Sequence, residues 1–201
     1  MKKELQYFLV DNHYYGGWQE WFPGYMMRIG GCAAVTACDC SIYFELYKNI
    51  KGLYPFDNQH VTRNDYIKFS DIMEPYLYPR WSGIDKLEIY IDGFGKFLTD
   101  RGKTKLNLLP WSGDKNLYET QLIIKNQIDS GFPIPFLMLK NQHSYLKDYV
   151  WHWFLLTGYD ESGDFKVKVV TYGSWRWLKL SDLWLTGYDN KGGLILFQNN
   201  Q

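Results

Sequence analysis

Cysteine is scarce in this 201-residue chain. There are three, all inside GGCAAVTACDC, Gly30 to Cys40. Helical spacing sets Cys32 and Cys38 roughly 9 Å apart along the axis and turns Cys38 and Cys40 to different faces, so no disulfide is expected. Reduced thiols predict a cytoplasmic address. Excess charge is missing too: Lys plus Arg and Asp plus Glu are each 22. That balance leaves no electrostatic footprint for nucleic acid or an acidic membrane. Long apolar runs are absent. Near the N-terminus only Tyr7 to Val10 is unbroken, far short of a signal-peptide core, and nothing approaches a membrane span. No Cys/His spacing fits a zinc pattern, and the glycines of DGFGKF follow no strand. Neither metal nor cofactor is expected.

What is abundant is aromatic: 17 Tyr, 9 Trp and 12 Phe. Such rings fill cores and line wet clefts. The first part of the chain reads as helical. Apolar positions recur every three or four residues from Cys32 to about Asn49, in NDYIKFSDIMEPYL (64–77), in GIDKLEIYIDGFGKFLTDRG (83–102) and in NLYETQLIIKNQIDSG (116–131). After Gly131 the period changes to that of strands, in FPIPFLMLK, YVWHWFLLTGYD, DFKVKVVTYG and GGLILF. The expected fold class is α+β, a single domain over 1–201, with a helical part to about 130 and a largely antiparallel sheet over 131–201. A weak boundary is expected at Leu109 to Gly113.

Two residues point to chemistry. Cys32 opens a helix, where unpaired N–H groups stabilise a thiolate, lower the thiol pKa and make sulfur a nucleophile. The preceding glycines would clear the approach of a substrate carbonyl. Equally, Cys32 fits as a small buried residue. His152 lies inside a strand between aromatic and aliphatic neighbours. There an unpartnered imidazole costs about 1–3 kcal/mol, so it is either a hydrogen-bonded core histidine or the base that a nucleophilic thiol needs.

Cys32 at the head of an alanine-rich helix, then PIPFLML (Pro133 to Leu139), then HWFLLTGYD (His152 to Asp160), resembles the papain-like cysteine peptidases. The match is closer to the bacterial branch that includes the bacteriocin-leader-processing peptidases. The resemblance spans Tyr14 to roughly Trp184 and leaves 51–109 unmatched. It implies a papain-like fold and a cysteine peptidase-like hydrolase or acyl-transferase acting on peptide or related amide bonds. It also implies Cys32 as nucleophile, His152 as general base and an upstream Gln at the oxyanion, for which Gln19 is the candidate and Asn12 the second choice.

The sequence departs from the pattern twice. Ala33 follows the cysteine where Gly or Ser is usual. The position that orients the histidine, usually Asp or Asn, holds no evident acid. Asp160 is roughly 26 Å along the strand from His152. A tight turn at Glu161-Ser162 would bring Thr171 opposite His152, with Tyr172 and Ser174 nearby. A hydroxyl orients an imidazole without stabilising its charged form. A catalytically weak or inactive relative is therefore the alternative, one that binds peptide or glycan through an aromatic-rich cleft around Trp18 to Phe22 and Trp175 to Trp177.

Overall fold

A computed structural model describes residues 1–199. The sheet elements are β1 (Lys2–Glu4), β4 (Leu106–Ser112), β5 (Ile134–Met138), β6 (His152–Asp160), β7 (Lys166–Thr171), β8 (Ser174–Lys179) and β9 (Gly193–Asn199). They form one seven-stranded sheet in the order β4-β9-β5-β6-β7-β8, with β1 continuing the β5 side of β6. Every pairing is antiparallel. A small ribbon pairs β2 (Leu9–Val10) with β3 (Tyr14–Tyr15). The helices are α1 (Tyr25–Gly30), α2 (Cys32–Tyr47), α3 (Arg63–Leu77), α4 (Leu87–Asp100), α5 (Leu117–Asp129) and α6 (Leu180–Trp184). The fold is α+β with an antiparallel sheet.

The division at about residue 130 is only approximate, because β1 and β4 come from the helical part. Leu109 to Gly113, expected as a boundary, belongs mostly to β4, which pairs along its whole length with β9. Pro110 argues against a strand from sequence alone, but an edge strand tolerates a proline.

The long helix α2 is the hub. Its residues from Cys32 to Glu45 are all buried, because it packs against both β6 and α3. Ala33, Ala34 and Ala37 permit the close approach to the sheet. The buried carboxylates on this helix are satisfied. Glu45 accepts from the N–H groups of Leu53 and Tyr54 at 2.6 and 2.9 Å. Asp39 accepts from Tyr66 at 2.7 Å, Tyr7 at 2.9 Å and the Gly17 N–H at 3.0 Å. Aromatic packing closes the interface, as where Trp153 of β6 stacks on Tyr90 of α4 at 4.5 Å.

No helix among the described residues is long and apolar enough to cross a membrane.

Candidate functional site

Cys32 stands at a break between two helices. Gly31 joins α1 to α2 with φ −81° and ψ 14°. A Cβ there would lie 2.2 Å from the Met27 carbonyl oxygen and 3.0 Å from the Phe22 ring, so only glycine fits the junction. The break interrupts the helical ladder. Gly31 N–H still reaches Met27 O and Val35 N–H reaches Gly31 O, whereas no helical bond runs from the Cys32 N–H to the Arg28 carbonyl. The Arg28 carbonyl, without an α2 partner, accepts from Gln19 Nε2 at 3.0 Å. One interruption therefore exposes donors at the cysteine and fastens Gln19 nearby. The glycines serve this junction and the contact of Gly30 with Pro79, and Gly30 also lines the cleft beside Cys32.

His152 is the first residue of β6, opposite Met138 of β5. Its Nε2 lies 2.7 Å from Thr171 Oγ1, and Tyr172 stacks on the ring at 4.6 Å with 9° between planes. The register that brings Thr171 there differs from the tight-turn expectation. Leu155 pairs with Val170, a bulge intervenes, and Asp160 pairs with Lys166 across a longer loop. Continuing that register sets Gly173 opposite His152. Thr171 is two residues away, hence on the same sheet face, and still reaches the ring. The hydrogen bond occupies Nε2 and leaves Nδ1 without a hydrogen-bond partner among the described residues. Backbone strain surrounds this ring: Trp151 (φ 52°) and Tyr172 (φ 54°) are non-glycine residues in the left-handed region, which clusters at functional sites.

The electrostatics oppose the expectation of a lowered thiol pKa. Burial pushes the Cys32 thiol above its ordinary range, although the N–H groups of Trp153, Ala33 and Cys32 itself act against that shift. Burial also takes His152 down to about 3. Both groups are neutral at pH 7, and no hydrogen bond joins Cys32 to His152 among the described residues; the thiol instead faces the Gly30 carbonyl at 4.0 Å. Desolvation outweighs the helix terminus here because the whole first turn of α2 is buried.

Cys32, His152 and Gln19 line one cleft of about 340 Å³. Thr171 lies behind it and lines a second cleft of about 370 Å³, walled by Trp18, Tyr172 and Trp175. Asn12 sits in the turn between β2 and β3 with φ 53° and is not part of either cleft. The two aromatic motifs divide. Trp18, Trp175 and Arg176 reach the second cleft, but Phe22 is buried and Trp177 lies under Lys2.

Sequence reasoning missed Asp39, whose signal was its spacing: seven residues, about two helical turns, place it on the Cys32 face of α2. From there it holds Gly17, two residues before Gln19. It also missed Arg80, Trp81 and Trp151 in the first cleft. No protein-family model, curated protein or solved structure matches the chain.

Proposed function

We propose that this chain is a papain-like thiol hydrolase or acyl-transferase acting on a peptide or related amide. The observation that carries the reading is the convergence on one cleft of Cys32, His152 and Gln19, from three separate parts of the chain. Substrate binding displaces water, and the Cys32 sulfur attacks the carbonyl carbon while its proton passes to Nδ1 of His152. The oxygen, now bearing charge, receives the free Gln19 amide N–H and the Cys32 N–H, a contribution of about 3–4 kcal/mol for one well-placed donor. Collapse returns the proton to the departing amine and leaves a thioester. Water or a second amine then releases the acyl group. Thr171 positions the imidazole without stabilising its charged form. The three cysteines are free and buried, which suits the cytoplasm.

One observation favours a second reading, a binding protein with little catalysis: the cleft walled by Trp18, Tyr172 and Trp175 has the aromatic surface that takes peptide or glycan.

The test is iodoacetamide labelling of the folded protein, resolved by thiol. Cys32 should react at least about tenfold faster than Cys38 and Cys40, and His152→Ala should change its pH profile with the fold retained. Equal, slow labelling of all three thiols would remove the nucleophile and leave the binding reading.

A further inference from the structure

The Cys32 cleft extends beneath the segment joining α3 to α4, which lies in the stretch the family resemblance leaves unmatched. This segment is tied at one end to the last residue of α1, two residues before Cys32, and at the other to β6, which carries His152. Pro79 packs on Gly30, where an added Cβ would come within 2.9 Å of it. Ile84 offers its carbonyl to the Trp153 indole N–H at 2.6 Å, one residue from His152. Between these ties the Gly83 N–H closes a turn onto the Arg80 carbonyl at 2.8 Å, with Gly83 at φ 75°.

The turn holds Trp81 almost wholly in solvent, at 98% exposure. A single exposed apolar side chain is ordinary. Here Trp81 shares a concavity with Ile29 (58% exposed) and Trp151 (49% exposed), and apolar groups gathered in a cleft mark a ligand surface. Among the side chains lining it, Arg80 alone carries a full charge, and it forms no ion pair among the described residues. A guanidinium without an internal partner at the rim of an apolar cleft fits an incoming carboxylate.

We infer that this cleft selects a peptide with an aromatic or large aliphatic side chain beside the scissile amide and a carboxylate on the adjacent residue. Trp81, Ile29 and Trp151 receive the apolar side chain and Arg80 the carboxylate. The inference rests on the thiol-hydrolase reading and adds its substrate class.

Three chloromethyl ketones test it: acetyl-Glu-Phe, acetyl-Lys-Phe and acetyl-Glu-Gly. In each, the Cys32 sulfur displaces chloride from the methylene carbon. Every rate is divided by the iodoacetamide rate of the same variant. The Glu-Phe reagent should exceed Glu-Gly by about tenfold or more, the value of burying one phenyl ring. Trp81→Ala should remove most of that ratio. Arg80→Gln should bring the Glu-Phe and Lys-Phe rates together, and added salt should do the same in the wild type. Equal Phe and Gly rates, or a preference that survives Trp81→Ala, would overturn the inference. Failure of the hydrolase reading looks different, because then no reagent labels Cys32 preferentially. Calorimetry with acetyl-Glu-Phe-amide then decides the pocket: binding weakened about tenfold by Trp81→Ala supports it, and no binding at millimolar peptide overturns it.

Discussion

At neutral pH the sulfur of Cys32 carries its proton and the ring of His152 carries no charge, because both are buried. Nucleophilic attack from such a pair requires proton and sulfur to move together, and alkylation by a small electrophile follows the rare thiolate. Iodoacetamide labelling of Cys32 should therefore climb through pH 9 and above, with no plateau between pH 5 and 8. A rate already level at pH 6 would reveal a thiolate–imidazolium pair and contradict this account. Thr171 adds a second test. Thr171→Val keeps the volume but strands the buried Nε2, which should cost about 1–3 kcal/mol of stability. It should also free the ring and lower any hydrolytic rate. Thr171→Asn offers a better fixed acceptor and should raise that rate or lower the thiol pKa. Coincident titrations of wild type and both variants would show that the 2.7 Å contact does not control the site.

At the scale of elements, the junction of α1 and α2 decides where the cysteine sits. Gly31→Ala forces a Cβ against the Met27 carbonyl, so it should cost about 1–3 kcal/mol and slow Cys32 labelling as the first turn shifts. Gly95→Ala, in α4 with open space around it, should stabilise by about 0.5–1 kcal/mol; urea melts of the two variants give the comparison. This junction also shows what was legible beforehand. The start of α2 at Cys32, the stop of α5 before Gly131, and strands β5, β6, β7 and β9 all followed from period and turn residues. The helix α1 did not, because YMMRIG is too short for a periodic signal. Strand β8 and the bulge in β6 were equally hidden. The strand's exposed SWRWLK has no buried face to alternate, and a bulge is fixed by tertiary pairing. Thr171 was found through a register that proved to be displaced, and the contact survived because the displacement left it on the same face. The cleft walls at Arg80 and Trp81 were out of reach, since a loop's place depends on what it packs against.

For the molecule as a whole, two buried groups whose pKa values are shifted in opposite directions contribute opposing pH dependences in acid. His152 has its folded pKa lowered to about 3 by burial, while an unfolded histidine titrates near 6.5. The unfolded chain thus binds the extra proton first, and stability falls as pH drops from about 6.5 toward 3. Asp39 has its folded pKa raised to about 6 by burial, against the hydrogen bonds from Tyr66, Tyr7 and the Gly17 N–H. Here the folded chain binds the proton first. Its contribution is full below about pH 4 and is lost as pH rises through about 6. The two act in opposite directions over overlapping pH ranges, with His152 worth on the order of 5 kcal/mol and Asp39 on the order of 3 kcal/mol in full. The wild type should therefore lose less stability between pH 6.5 and 4 than His152 alone implies. Asp39→Asn removes the opposing titration while keeping a side chain of the same shape, so its stability should fall more steeply over that range. His152→Gln removes the other and should make the protein more stable at pH 4 than at pH 6.5. Urea denaturation of the wild type and both variants at these two pH values provides the measurement. Parallel pH dependences in all three would mean that neither buried group keeps its proton equilibrium distinct from the unfolded chain, and would undo the neutral thiol–imidazole pair as well.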